Sequence, residues 1–163
     1  MKSRNVLLGA LVVCTAGVQA SSDFKYPANS KKGIDERAIR RNQLEMQKAT
    51  ELVDKLVKVQ KDEESLFENS PHDYFGMVSS SAKQLVKLYD DFAPTDEHVE
   101  AIELYALTYK AFANATIDKA KFNRKLLNEA HSKVSDLIRL AEYLIEYNKS
   151  RIEEYTFEMN SSK

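Results

Sequence analysis

Apolar residues recur at three- and four-residue steps along most of this chain. Met46, Ala49, Val53 and Leu56 follow that rhythm, and Leu52, Val59 and Leu66 repeat every seven residues beside them. One broad apolar face on a 3.6-residue period predicts an amphipathic helix from about Ile34 or Asp35 to Phe67. Asn69-Ser70-Pro71 ends it, because proline lacks the amide hydrogen a helix needs and restricts the residue before it. Phe75, Val78, Ala82, Leu85, Tyr89 and Phe92 make a second stripe, which predicts a helix from about His72 until Pro94 stops it. Thr95 then offers a cap for a third helix, whose first turn carries Asp96 and Glu97 at the positive end of the dipole.

From Thr95 onward there is neither proline nor glycine. A single helix of that length would be about 100 Å long, so a compact domain needs a turn there. The best place is near Asn114 to Asp118, with Thr116 as a cap, and a turn near Asn123 is the alternative. The third helix is then expected to turn Ile102, Tyr105, Tyr109 and Phe112 inward. The fourth carries Leu127, Ala130, Val134, Leu137, Ala141 and Leu144, with Ile138, Ile145, Ile152 and Met159 every seven residues beside them.

Short connections make successive helices antiparallel neighbours. The expected fold is all-α: an antiparallel bundle of four helices with long first and last helices. The length mismatch leaves the start of the first helix and the end of the fourth projecting as a two-helix extension. Arg37, Arg40 and Arg41 would then lie level with Glu142, Glu146, Glu153, Glu154 and Glu158.

Ahead of the bundle, which spans residues 34–163, two segments read differently. Residues 1–20 have the three parts of a secretory signal: Lys2 and Arg4, an apolar run from Val6 to Val13, and Val18-Gln19-Ala20 before a cut at Ser21. The apolar run is shorter than the ~20 residues a membrane span needs. Residues 21–33 contain Pro27, Asn29, Ser30 and Gly33 and read as a mobile leader. Cys14 is the single cysteine and falls inside the signal, where Val13 is too large to precede a lipid-attachment cysteine. Without residues 1–20 the chain has no thiol, so disulfides, thiol catalysis and zinc–thiolate sites are excluded. An exported, cysteine-free helical chain fits a Gram-negative periplasm best, with secretion as the alternative.

Charge and motifs narrow the chemistry further. Removing Lys2 and Arg4 from the 24 basic residues leaves 22 against 25 acidic, a net −3, which offers nucleic acid no general attraction. No glycine-rich phosphate loop or serine elbow occurs. Asn69, Thr95 and Asn128 stand three residues before His72, His98 and His131, where a di-iron bundle needs glutamates. His98 with Asp96, Glu97 and Glu100, and His72 with Asp73, read as solvated clusters rather than metal sites. His131, at the margin of the fourth helix's apolar face, could ligate haem with Met46 or another methionine opposite, although no covalent haem motif is present. Asn114, Asn148 and Asn160 each open a glycosylation sequon.

The functional expectation is therefore a non-enzymatic protein with no cofactor, no metal and no membrane span after processing. The sequence feature behind it is the apolar and aromatic excess late in the fourth helix. Tyr143, Tyr147, Ile152, Tyr155 and Phe157 are the candidate interaction residues, since large apolar patches and tyrosines mark contact sites. The partner would be another protein or a second copy of the chain, as a homodimer. The alternative is a carrier of a small ligand, haem or metal, with Phe75, Tyr89, Tyr105, Tyr109 and Phe112 around it.

Overall fold

The computed structural model describes residues 24–90, 95–116 and 122–162. The signal segment with Cys14, residues Phe92 and Pro94, and the expected turn at Asp118 lie outside them. The described residues are helical with no strand, and their six helices are α1 (Lys31–Lys61), α2 (Glu63–Asn69), α3 (Pro71–Tyr89), α4 (Asp96–Thr116), α5 (Arg124–His131) and α6 (Val134–Ser161). No helix among them is long and apolar enough to cross a membrane.

The expected first helix is thus two helices. The break falls at Asp62, whose backbone leaves the helical region and whose N–H turns back to the Gln60 carbonyl. The bend swings Phe67 into the core, where it meets Tyr74 and Phe75 edge-on at 5.8 and 6.0 Å. Glu63 and Glu64 occupy the positive end of α2. The expected fourth helix is also two, parted at Ser132 and Lys133. The Lys133 N–H reaches the Ala130 carbonyl, and the Asp136 N–H starts the next helix from the Lys133 carbonyl.

Between α4 and α5, the alternative position near Asn123 is where the new helix starts. The Asn123 side chain accepts the Leu126 N–H at 3.1 Å, and its own N–H donates to Asn114 Oδ1 at 2.8 Å. Thr116 is no cap: it closes α4, and its hydroxyl donates back to the Phe112 carbonyl. Thr95 does cap α4, accepting the His98 N–H at 3.2 Å.

Among the described helices α1 and α6 form the most extensive contact, and α3 packs on α4. Gln60 meets Ser135 at one end of the α1–α6 pair and Lys31 meets Glu158 at the other, so the two run antiparallel. The core lies at the α2–α3 end of this pair. It takes Leu52, Leu56 and Val59 from α1, Phe75, Val78, Ala82 and Leu85 from α3, and Leu127, Leu137, Ala141 and Leu144 from α5 and α6. A fully buried leucine or phenylalanine stabilises by roughly 1.5–3 kcal/mol, so this cluster dominates the fold.

The α4 face differs from the expected one. Ala101, Leu104, Thr108 and Ala111 point inward, while Ile102 is 46% and Tyr109 54% exposed. Small residues on the inner face let α4 approach α3, and Tyr105 and Phe112 cover the flank as half-buried residues.

Candidate functional site

Beyond the level reached by α3, α1 and α6 continue as a pair, with only the leader against them among the described residues. The leader folds back on this end. The Ser30 hydroxyl caps α1 by accepting the Gly33 N–H at 3.0 Å. The Lys25 and Tyr26 amides both donate to the Glu36 carboxylate, at 3.1 and 3.2 Å. These bonds, the Lys25 amide foremost, hold the Glu36 pKa below its ordinary value despite partial desolvation, with Arg40 adding to the effect. Phe24 lies under the Arg40 guanidinium, 4.3 Å from its ring centre, and Arg37 donates to the Ala28 carbonyl.

Polar residues interrupt the apolar seam between the two helices here. Asp35, Glu45 and Asn148 are all buried. Asn148 is 1% exposed; its Nδ2 donates to the Leu144 carbonyl at 2.8 Å, and its Oδ1 has no partner. Asp35 Oδ2 is likewise buried without a partner. A groove of about 370 Å3 opens beside this seam, with Ile34, Arg37, Arg41 and Glu45 on the α1 wall and Tyr147, Arg151 and Tyr155 on the α6 wall. Arg41 pairs with Glu45 at 3.1 Å, and Arg151 contacts Glu154 and the Tyr155 hydroxyl. Burial works against the Arg151 charge, but Tyr155 and Glu154 outweigh it and hold the guanidinium above its ordinary range. Arg40 and Arg41 turn to Glu36 and Glu45 on their own helix.

The five candidate interaction residues divide into two groups. Ile152 and Tyr155 are half-buried, continuing the inner stripe of α6 towards α1. Tyr143 and Tyr147 are 42% and 37% exposed, and Phe157 is 73% exposed. At 3.6 residues per turn, Phe157 stands nearly opposite the buried Leu137–Leu144–Asn148 stripe, on the side of Tyr143. Sequence reasoning missed the buried polar trio. Asn148 carried a legible signal, since it falls four residues after Leu144 on that stripe.

Each histidine lies near a carboxylate, although Nε2 of His98 and of His131 is buried without a hydrogen-bond partner. His131 Nε2 is 3.0 Å from Glu63 Oε1, and its ring stacks on Phe67 at 4.5 Å. Arg124 covers the same Phe67 ring. His98 Nε2 is 3.3 Å from Asp90 Oδ1, and its ring stacks on Tyr89. His72 lies beside Asp73 at 3.3 Å. No group of three metal-binding side chains occurs among the described residues. Met46 cannot oppose His131 across a haem: it lies about 20 Å along α1 from Gln60, the residue that meets Ser135. The aromatic set proposed around a ligand is scattered, with Phe75 and Tyr89 in the packed core and Tyr109 in solvent. Asn148 is too buried to accept a glycan.

No family model matches this chain, and neither a curated protein nor a solved structure matches it.

Proposed function

We propose that this is an exported, non-enzymatic helical protein that works through protein–protein contacts, as an adaptor, chaperone-like binder or inhibitor. Its contact surface is the free end of the α1–α6 pair, and its place of work is the periplasm, with secretion as the alternative. The observation that carries the reading is the exposure of Phe157, Tyr143 and Tyr147 along one side of α6, among the described residues. Aromatic side chains left in water on a rigid helix are the usual anchors of a contact, because they bury large area at small entropic cost. Ile34 and Leu44, also exposed, extend the apolar surface onto α1. Support for export comes from the charged start, short apolar run and Val18-Gln19-Ala20 at the N-terminus.

The test is solution mass by light scattering across a dilution series, followed by a pull-down, on the parent chain and on a Tyr143→Glu, Phe157→Glu variant. The expected result is a concentration-dependent dimer or a retained partner in the parent, lost in the variant with helicity unchanged. A monomer at every concentration, with the same proteins retained by parent and variant, would overturn the reading.

A further inference from the structure

We propose that the groove between α1 and α6 binds carboxylates of an acidic peptide segment on a partner protein. This rests on the protein-contact reading and names the chemistry of the partner at that end of the molecule.

The first argument is hydrogen-bonding capacity. Arg37, Arg41 and Arg151 line the groove with guanidiniums, which only donate, and the Tyr147 and Tyr155 phenols stand between them. Tyr155 already accepts from Arg151, which leaves its own proton to give. Among the described lining residues Glu45 is the one carboxylate, and Arg41 engages it. Such a lining matches a ligand rich in acceptors.

The second argument is charge. The chain as a whole carries −1, yet three guanidiniums face one carboxylate here. Glu154 beside Arg151 and the buried Asp35 in the seam offset two of these charges in the formal count, so the charge open to a ligand is that of Arg37. Arg41 and Arg151 each have a carboxylate partner, whereas the partners of Arg37 are neutral: the Ala28 carbonyl and, 5.4 Å away, the Phe24 ring. Guanidiniums take carboxylates in a two-pronged geometry that a lone ammonium cannot reproduce.

Size and walls decide for a peptide rather than a free ion. A volume of about 370 Å3 equals roughly a dozen waters at about 30 Å3 each, far more than one phosphate or acetate fills. The groove is open along the helices, and Ile34, Ala38 and the two tyrosine rings give it apolar walls for a chain's aliphatic stems.

The experiment follows the arginine Nε–H signals of the labelled full chain while a blocked hexaglutamate peptide, hexaserine or inorganic phosphate is added. Hexaglutamate should give saturating shifts at Arg37, Arg41 and Arg151, weaker as salt rises, with hexaserine silent. An Arg37→Gln, Arg151→Gln variant should bind at least about tenfold more weakly, while Arg37→Lys, Arg151→Lys loses less. The melting temperature of each variant separates lost binding from lost folding. Absence of saturable shifts, or equal binding by the glutamine variant, would overturn the proposal. So would phosphate binding as tightly as the peptide, which would make this a small-anion site. Failure here leaves the mass and pull-down results for Tyr143 and Phe157 untouched, so the two readings fall separately.

Discussion

The Tyr74 hydroxyl donates to Glu63 Oε1 at 2.8 Å and ties α3 to the first turn of α2. The same oxygen stands 3.0 Å from His131 Nε2, which makes no hydrogen bond, so one carboxylate bonds α3 to α2 and lies against α5. Burial raises the Tyr74 pKa, and the bond to Glu63 raises it further, which keeps the phenol protonated and donating. Tyr74→Phe keeps the ring contacts with Phe67 and Phe75 but removes the donor. It should cost about 1–2 kcal/mol in urea unfolding, in the range of a hydrogen bond to a charged acceptor that is partly wet. In the Glu63→Gln background the same change should cost less. Equal cost in both backgrounds would show that the bond contributes nothing.

Tyr89 gives the fold a pH limit. Its hydroxyl donates to the Leu140 carbonyl at 3.0 Å inside the protein, joining α3 to α6. Burial first, then the negative charge of Glu97, pushes the Tyr89 pKa upward. A group whose folded pKa lies above its unfolded value of 10.0 stabilises fully below that value and loses its contribution as pH rises beyond it. Stability should therefore fall above about pH 10, with Tyr74 acting in the same direction. Tyr89→Phe should unfold at slightly lower denaturant at pH 7, by about 1 kcal/mol, and show a shallower alkaline decline. An unchanged decline in the Tyr74→Phe, Tyr89→Phe double variant would rule these two phenols out as its cause.

The helical periodicity made α3 and the inner stripe of α5 and α6 legible, because their apolar residues are large and evenly spaced. Phe75, Val78, Ala82, Leu85 and Tyr89 are all buried, as are Leu127, Ala130, Val134, Leu137, Ala141 and Leu144. α4 misled for a physical reason. Apart from Leu104 its contact face is made of small residues, Ala101, Thr108 and Ala111, so the larger Ile102 and Tyr109 drew the expected stripe one position aside. The break at Asp62 left no mark in the pattern, since no proline or glycine stands there. It follows from tertiary contacts of Glu63 and Phe67 that only the fold supplies. Of the candidate site, the aromatic excess on α6 was visible in the sequence. The groove was not, because it needs Arg37 and Arg41 from α1 beside Arg151 from the other end of the chain.

Gly33 is where the leader meets α1. A Cβ at that position would run into the Pro27 carbonyl oxygen, which is backbone and cannot swing aside. Gly33→Ala should therefore lift residues 24–30 off the helix, although alanine favours a helix by up to about 1 kcal/mol. Faster hydrogen exchange at the Lys25 and Tyr26 amides would report the release. Acid should do the same in the parent. The Glu36 pKa is depressed from 4.5, so the anchor is fully present above that value and is lost as pH falls through the lower folded value. Exchange at these amides that is independent of pH after correction for the intrinsic rate would show that Glu36 does not hold the leader.

Asn148 sits where the apolar stripe of α6 calls for a leucine. Its Nδ2 bonds within the helix to Leu144, but its Oδ1 is buried without a partner, a cost of about 1–3 kcal/mol. Asn148→Leu removes that cost, keeps similar volume and adds apolar contact with α1. It should raise the melting temperature by several degrees, since about 1 kcal/mol is worth roughly 2–8 °C in domains of this size range. Asn148→Asp should lower it, because an uncompensated charge would replace the amide at a site 1% exposed. The residue would then be retained at a stability cost, as buried polar groups are where they fix how two helices align. A melting temperature that falls in Asn148→Leu would mean that Oδ1 is satisfied in solution, and the seam beside the groove would have to hold a water or a partner's donor.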